Sequence, residues 1–426
     1  MTEIPPWGTA TVARPPLAVR LYGEIVAELT SAGPGQITCR YTDQARDRWP
    51  LNLPLLSCSL PLTRRPHKNA GPFFRGLLPE GAALAAVAAE ARVPTFDTFG
   101  ILTRFGRDIA GAAVISPDVE EHGPGRVVDY PRQELETDVA DLEERPLALH
   151  DDSELSLPGL QNKLLLVATP HGWGRPAAGY PSTHILKVED RRYPGMAIME
   201  AACLRLGRAI GVTNVEAWTE QFGDLDCVIV SRYDRRVDAG TGSVERIHQE
   251  DICQALGTDI DRNERRAKYQ DFDGPSWRDV ADLLTQHAGE AAPAQLRQLL
   301  RTAVFTQVIG NGDAHGKNLA LLHTDPGTVV LAPLYDTVPT ALWPRLPDRS
   351  AMWVNGKRRL SAVTSEDLVA EARSWPLTER TARQVVTETV DELLAVLAHI
   401  DLPETLADLV STRARRLAYP ARHLDG

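Results

Sequence analysis

Cysteine is scarce in this 426-residue sequence, and its spacing excludes the usual cysteine-based sites. The five residues are Cys39, Cys58, Cys203, Cys227 and Cys253. Their number is odd and no two have the CxxC spacing, which argues against a disulfide framework and against a zinc site. Cys203 and Cys253 lie in apolar helical patterns. We therefore expect buried, reduced thiols, as in a cytoplasmic protein.

Long hydrophobic runs are also missing. No apolar run approaches the roughly 18 residues that a membrane-spanning helix needs. Residues 1–7 carry neither the basic nor the apolar region of a signal peptide. We therefore expect no membrane association and a cytoplasmic location.

Positive charge is in deficit. Lysine and arginine number 46 against 57 acidic residues, which gives a formal net charge of -11. Strong nucleic-acid binding needs a basic face that meets the phosphates. We therefore expect this chain not to bind nucleic acid strongly by itself, although a basic partner or a local patch such as Arg413, Arg415 and Arg416 stays compatible with the sequence.

A glycine-rich phosphate loop is absent as well. The segment Ser156–Lys163, SLPGLQNK, precedes an apolar strand and contains one glycine. It is therefore neither a Walker loop nor the glycine-rich loop of ordinary protein kinases. Two interpretations remain open: a loop whose backbone N–H groups and Lys163 hold phosphates, or a simple turn before a strand.

The most informative feature that is present is the segment Asn311–Asn318, NGDAHGKN, with Asp336 eighteen residues after it. Asp313 could accept the proton of an attacking hydroxyl, while Asn318 and Asp336 could hold Mg²⁺ on nucleotide phosphates. Lys317 could neutralise charge on the transferred group. This set of residue types at this spacing predicts an ATP-dependent phosphotransferase.

The rest of the pattern predicts an α+β fold in four parts. Residues 1–115 form an N-terminal α/β subdomain, and residues 116–149, rich in Pro, Gly and acidic residues, form a linker region. Residues 150–245 contain apolar strands and a helix in the order β-β-α-β, which suits the nucleotide-binding part of a kinase-like core. Residues 246–426 are mainly helical and carry the segment Asn311–Asn318.

Two further segments suit nucleotide binding. Lys187 ends an apolar strand and could pair with the α and β phosphates, and Glu200 on the next helix is a candidate to orient it. Ser231, Arg232 and Tyr233 follow another buried strand and could form a hinge whose backbone binds adenine. An edge lysine with a solvated glutamate, and a charged strand exit, are the alternatives.

Several separated motifs in this order resemble the HipA family, the kinase toxins of bacterial HipBA toxin–antitoxin modules. The motifs are Pro72–Gly81 (PFFRGLLPEG), Ser156–Lys163, Thr183–Lys187 (THILK), Glu200–Arg205 (EAACLR), Arg232–Arg235 (RYDR), Gln249–Asp251 (QED), Gly312–Asn318 (GDAHGKN) and Tyr335–Asp336. The resemblance spans nearly the whole chain. It implies a two-lobe kinase-like architecture, with the nucleotide lobe in the α/β N-terminal half and a mainly α-helical C-terminal half.

The resemblance also implies site roles. Asp313 becomes the catalytic base, Asn318 and Asp336 the metal ligands, and Ser156 the site of an autophosphorylation that turns the kinase off. The implied ATP-binding residues are Pro158, Gly159, Leu160, Gln161, Asn162, Lys163, Lys187, Ser231, Arg232, Tyr233, His315 and Lys317. Two of these depart from the family pattern: Asn162 replaces an acidic residue, and Ser231 replaces a glutamate.

The cofactors and partners implied are ATP, Mg²⁺, a HipB-like helix-turn-helix antitoxin that binds operator DNA, and a protein substrate such as an aminoacyl-tRNA synthetase. One alternative is a small-molecule phosphotransferase of the aminoglycoside-kinase type, because its HGDxHxxN loop differs from Asn311–Asn318 only at the first position. A second alternative is a catalytically weak, antitoxin-binding regulator. The intact Asp313, Asn318 and Asp336 argue against it.

Overall fold

A computed structural model describes residues 14–418, except 34, 118–122, 124, 149, 151–152, 154–156, 160, 239, 263–265 and 326. In the described part the strands are β1 (Leu17–Leu21), β2 (Glu24–Gly33), β3 (Gln36–Tyr41), β4 (Val114–Ser116), β5 (Arg126–Asp129), β6 (Lys163–Thr169), β7 (Gly172–Ala177), β8 (His184–Val188), β9 (Ala217–Phe222), β10 (Leu225–Ser231), β11 (Arg235–Val237), β12 (Val244–Arg246), β13 (Gln249–Asp251), β14 (Ala320–Asp325) and β15 (Thr328–Leu331). The α-helices there are α1 (Asp43–Arg48), α2 (Gly71–Gly76), α3 (Gly81–Glu90), α4 (Thr98–Phe105), α5 (Arg132–Ala140), α6 (Met196–Ala209), α7 (Ile252–Ala255), α8 (Trp277–His287), α9 (Ala292–Ile309), α10 (Ser365–Arg373), α11 (Glu379–Val396) and α12 (Glu404–Ala418). The mixture confirms the predicted α+β class.

The N-terminal part is built on a four-stranded antiparallel sheet in the order β3-β2-β1-β4. Apolar side chains of the strands and of α2 to α4 form one core beneath it, with Phe73 and Phe74 fully buried. The same core also takes in Leu157, from the segment before β6. The N-terminal part therefore packs directly against the predicted phosphate segment.

A second, six-stranded sheet has the order β5-β7-β6-β8-β10-β9. Its central strands are the apolar runs that the sequence indicates, and α6 packs against β9 and β10. Antiparallel pairing of β6 with β8 places Lys163 directly opposite Lys187. The sheet therefore sets these two predicted phosphate-binding lysines side by side.

Two expectations for this region are corrected. The order from residue 163 is β6-β7-β8-α6-β9-β10, not β-β-α-β, because β7 (GWGRPA) and β9 (AWTEQF) lack the apolar runs that mark the other strands. The predicted linker, 116–149, contains β5, which pairs with β7, and α5, whose Leu135 and Val139 are buried with the sheet's apolar side chains. This segment is therefore part of the sheet layer.

The C-terminal half is mainly helical, as predicted, with the small antiparallel sheet β13-β14-β15. Helix α8 begins with a capping box between Ser276 and Asp279. Helix α9 is buried along much of its length and ends at Gly310, whose φ of +72° is a left-handed conformation that favours glycine. That turn directs the chain into the segment Asn311–Asn318.

The five cysteines are unpaired, and four of them are buried, in line with the expected reduced thiols. Two arginines of the basic patch on α12, Arg413 and Arg416, form hydrogen bonds within the fold. Arg413 is buried and donates to the carbonyls of Gln307 and Leu360, and Arg416 donates to the carbonyl of Ser361. None of the helices in the described ranges is long and apolar enough to cross a membrane.

Candidate active site

A cavity of about 730 Å³ lies where three parts of the chain meet: the six-stranded sheet, the segment Asn311–Asn318 and the motif Pro72–Gly81, called the N-terminal motif below. The predicted site residues that line it are Pro158, Gly159, Gln161, Lys163, Lys187, Ser231, Arg232, Tyr233, Asp313, His315, Lys317, Asn318 and Asp336. Ser156 and Leu160 lie outside the described residues. Asn162 is not in the lining, and its carbonyl accepts the Val188 N–H at 3.2 Å. The volume suits a nucleotide-sized ligand.

Lys187 lies between two carboxylates. Its Nζ is 2.7 Å from Oε1 of Glu200, behind the cavity wall on α6, and 2.7 Å from Oδ1 of Asp336. Burial disfavours the Lys187 ammonium, but the attraction of Asp336 and Glu200 outweighs burial and raises the pKa of Lys187. Burial likewise opposes ionisation of Asp336, but the charges of Lys187 and Lys163 lower its pKa. Asp336 is therefore a carboxylate, on a left-handed backbone with φ of +47°.

Asp313 is held by hydrogen bonds on several sides. Its Oδ1 accepts from the Tyr269 hydroxyl at 2.8 Å, and its backbone N–H donates to Asn311 Oδ1 at 2.9 Å. Its side chain stays 46% exposed to the cavity, enough for a substrate hydroxyl to reach it. Asn318 Nδ2 donates to the Asp313 carbonyl at 2.9 Å, which leaves the amide oxygen Oδ1 to act as a ligand.

The segment before β6 wraps around Lys163. The Nζ of Lys163 donates to the carbonyl of Pro158, and a Cβ built on Gly159 would lie 2.5 Å from that Nζ. Gly159 has a φ of +116°, so its backbone conformation favours glycine, and a side chain there would also displace the Lys163 ammonium. Burial, and then the neighbouring Lys187, lower the pKa of Lys163 to about 8.

Lys317 is placed differently from the sequence prediction. Its Nζ lies 3.0 Å from Oδ2 of Asp251 and 3.1 Å from the carbonyl of Gly76, and the side chain is buried. The ammonium thus ties the Asn311–Asn318 segment to the N-terminal motif, which argues against the predicted role in neutralising the transferred group. His315 is also buried, with its ring edge against Tyr269 at a centroid distance of 4.9 Å.

At the predicted hinge, the side chain of Arg232 is not available to a nucleotide. It is buried and bonds both oxygens of Asp234 at 2.9 and 2.8 Å. The backbone N–H groups of Ser231 and Arg232 donate to the carbonyls of Glu216 and Thr183, and the Tyr233 ring packs on Tyr335 at a centroid distance of 5.2 Å. An adenine contact would therefore fall to the remaining backbone groups.

The Arg232–Asp234 pair belongs to a larger buried cluster that the sequence did not reveal. Asp108, from the N-terminal part, lies 2.9 Å from Arg235, 3.7 Å from Arg232 and 3.8 Å from Arg246. The motif Arg232–Arg235 (RYDR) supplies two arginines and one aspartate of this cluster. Their partner Asp108 is more than a hundred residues away in the chain, so the local sequence does not show the pairing. The cluster fastens the N-terminal part to the hinge.

Sequence reasoning also missed four residues that line the cavity: Glu80, Asp251, Lys268 and Tyr269. Tyr269 bonds Asp313, and Lys268 forms a buried ion pair with Glu80 at 3.0 Å. Two of the family motifs, PFFRGLLPEG and QED, contain Glu80 and Asp251 and could have indicated these two residues. Lys268 and Tyr269 lie in none of the sequence motifs identified above.

Comparison with known proteins places the chain in a family. Residues 155–397 match the model of the HipA-like C-terminal domain, and residues 17–116 match that of the HipA N-terminal domain. A Sinorhizobium fredii protein named "Putative kinase Y4mE" is 34% identical over 402 residues, which cover 92% of this chain and 93% of that protein. The chain belongs to the HipA family.

Two further comparisons concern HipA proteins of Shewanella oneidensis. The "Serine/threonine-protein kinase toxin HipA" of that organism is 28% identical over 309 residues, which cover 70% of this chain and 69% of the toxin. A solved structure of HipA with HipB and its operator DNA, from the MR-1 strain, aligns with a TM-score of 0.77 at 24% identity. It covers 94% of this chain and 96% of that one, and shows that the two share the HipA kinase-like fold.

Proposed function

We propose that this chain is an ATP- and Mg²⁺-dependent serine/threonine protein kinase that acts as the toxin of a type II toxin–antitoxin system. The observation that carries the proposal is the convergence of Asp313, Asn318, Asp336 and the Lys187–Glu200 pair on one cavity. Membership of the HipA family, whose Shewanella relative is named a kinase toxin, supports it.

Phosphoryl transfer would use Asp313 as the base. With Oδ1 bonded to Tyr269, the other carboxylate oxygen takes the proton of the acceptor hydroxyl. The hydroxyl oxygen forms a bond to the γ-phosphorus, and the bond from that phosphorus to the β–γ bridging oxygen breaks, so its electrons remain on ADP. Lys187, oriented by Glu200, and Lys163 would hold the phosphates in place.

The residues present fit magnesium. Asn318 Oδ1 and the Asp336 carboxylate are hard oxygen donors, the kind that Mg²⁺ takes, and both line the cavity. Asn318 is fixed by its bond to the Asp313 carbonyl, and Lys187 leaves one Asp336 oxygen unshared. Asn318 and Asp336 would hold Mg²⁺, which would supply positive charge against the nucleotide phosphates.

The partners follow from the same proposal. The Shewanella structure contains HipA, HipB and operator DNA. By analogy the partner here is a HipB-like helix-turn-helix antitoxin, and operator DNA would be contacted mainly through it, since this chain is acidic. The substrate would be a translation-related protein such as an aminoacyl-tRNA synthetase, in the cytoplasm. Phosphorylation at Ser156 would place a doubly charged group beside the phosphate site and turn the kinase off.

The test compares wild type with Asp313→Ala. Wild type with Mg²⁺-ATP should label a protein in cell lysate and slow growth when expressed alone, and the variant should do neither, because the base is lost. Phosphopeptide mass spectrometry of active wild type should find phosphate on Ser156. Equal toxicity of the variant would refute the kinase-toxin proposal, and phosphate found only on small molecules would favour the aminoglycoside-kinase alternative.

A further inference from the structure

The N-terminal motif Pro72–Gly81 reaches the cavity, although its sequence carries no known nucleotide-binding pattern. Its Gly76 carbonyl accepts from Lys317, and the Glu80 N–H donates to the Gly159 carbonyl at 3.2 Å. The Glu80 side chain itself lines the cavity and is only 4% exposed. One N-terminal segment therefore contacts both the Asn311–Asn318 segment and the segment that wraps Lys163.

Glu80 holds Lys268 at the cavity wall. Its Oε2 lies 3.0 Å from Lys268 Nζ, and both side chains are buried and line the cavity. The other oxygen, Oε1, is buried and has no hydrogen-bond partner among the residues that the structure describes. An unpaired buried carboxylate oxygen is costly in free energy. Burial disfavours the Glu80 carboxylate, but the charge of Lys268, and then that of Lys317, lower the pKa of Glu80, so the pair places a charged ammonium at the cavity wall.

Lys268 is also tied to the reacting end of the cavity. Its carbonyl accepts the Gly316 N–H at 3.1 Å, and the next residue, Tyr269, bonds Asp313. Lys317, which the sequence suggested for the transferred group, is instead engaged by Asp251 and the Gly76 carbonyl. Among the described residues, the Lys268 ammonium has Glu80 as its hydrogen-bond acceptor, and it lies 5.8 Å from the centroid of the Tyr269 ring, next to the base.

We infer that Lys268, held by Glu80, is the cation that meets the phosphoryl group as it passes from ATP to the acceptor hydroxyl. The inference rests on the proposed function. It makes Lys268 a catalytic residue through its contact with the transferred group, and Glu80 a positioning residue that acts through Lys268. The N-terminal motif is then part of the active site and not only a packing element.

The decisive measurement is calorimetric binding of ADP and of the non-hydrolysable ATP analogue AMP-PNP, with Mg²⁺, to Lys268→Gln. This variant removes the charge but keeps a donor for Glu80. Loss of one charge-assisted contact should weaken AMP-PNP binding roughly 10- to 100-fold and leave ADP binding unchanged, because only the analogue carries the third phosphate. Lys268→Arg should restore most of the difference.

The double variant Glu80→Gln/Lys268→Met replaces the buried pair by neutral residues, which folds tolerate better than one unpaired buried charge. The double variant should show the same selective loss of AMP-PNP binding. It replaces Lys268→Gln in the experiment if the single variant does not fold. Asp261→Asn is the matched control. It breaks the Arg75–Asp261 pair, which also joins the N-terminal motif to the core but does not line the cavity, and both affinities should stay unchanged.

Equal weakening of ADP and AMP-PNP in the Lys268 variants would mean that the pair only supports the fold, and would overturn the inference. So would unchanged binding of both nucleotides. If the wild-type chain binds neither nucleotide, it is the proposed kinase function that fails.

Discussion

Replacing Glu200 by glutamine should lower the activity of this protein without lowering its stability. Glu200 is 1% exposed and its carboxylate bonds the Lys187 ammonium at 2.7 Å. Burial disfavours its charged form and raises its pKa, more than the attraction of Lys187 lowers it. Burying the Glu200 charge therefore has a cost in folding free energy that offsets its attraction to Lys187. A neutral amide of the same shape removes that cost but can no longer hold Lys187 by charge.

The expected magnitudes follow from these contacts. A hydrogen bond to a charged group contributes about 1.5–3 kcal/mol, so kcat/KM for ATP should fall roughly 10- to 100-fold in Glu200→Gln. Lys187 retains its partner Asp336 at 2.7 Å, so activity should not vanish. The free energy of unfolding should change by less than about 1 kcal/mol, because Lys187 still has Asp336 as its charged partner and the desolvation cost of the Glu200 charge is removed together with its attraction.

The assay pairs steady-state kinetics on a protein acceptor with chemical denaturation of the same preparations. The control is Glu392→Gln, the same chemical change at a half-exposed carboxylate that pairs with Arg301 outside the cavity, and both quantities should stay at the wild-type value. A Glu200→Gln variant with wild-type kcat/KM would refute the orienting role. A large loss of stability together with activity would show that the pair acts through the fold.

Two other perturbations probe the supports of the site. Since the pKa of Lys163 is lowered to about 8, its ammonium is present below that pH and is lost above it. ADP affinity, measured by calorimetry between pH 7 and 9, should therefore fall as the pH rises through about 8 in wild type but not in Lys163→Arg, which stays charged. Asp108→Asn leaves the buried Arg232 and Arg235 with Asp234 as their carboxylate partner among the described residues, and should cost about 3–5 kcal/mol in a denaturation experiment. A flat pH profile, or wild-type stability of the Asp108 variant, would contradict these assignments.

The fold was predictable where one strand or helix carries its own signal. The runs KLLLV, HILKV and CVIV form the central strands because they are buried on both faces, and their apolar content shows it. Strands β7 and β9 are partly exposed and contain Trp, Arg, Glu and Pro, so tertiary pairing decides them and local preference does not. The same holds for β5, which is strand only because β7 lies beside it.

For the site, the sequence identified residues whose chemistry is concentrated in a short segment. Asp313 and Asn318 stand five residues apart, and Lys187 and Glu200 lie on consecutive elements, so their proximity follows from local geometry. Tyr269 reaches Asp313 across 44 residues. Contacts of that kind depend on how separate elements pack, and no periodicity in one sequence reports them.

Under the inference above, Lys268 takes the role that sequence spacing suggested for Lys317. Lys317 sits beside the base in sequence, but a buried ammonium must satisfy its own donors, and Asp251 and the Gly76 carbonyl do so. Lys268 is far from the base in sequence, yet Glu80 holds it at the cavity wall. Since Glu80 and Gly76 both belong to the N-terminal motif, this motif supplies a hydrogen-bond acceptor to each of the two lysines. The N-terminal part should therefore be required for phosphoryl transfer itself.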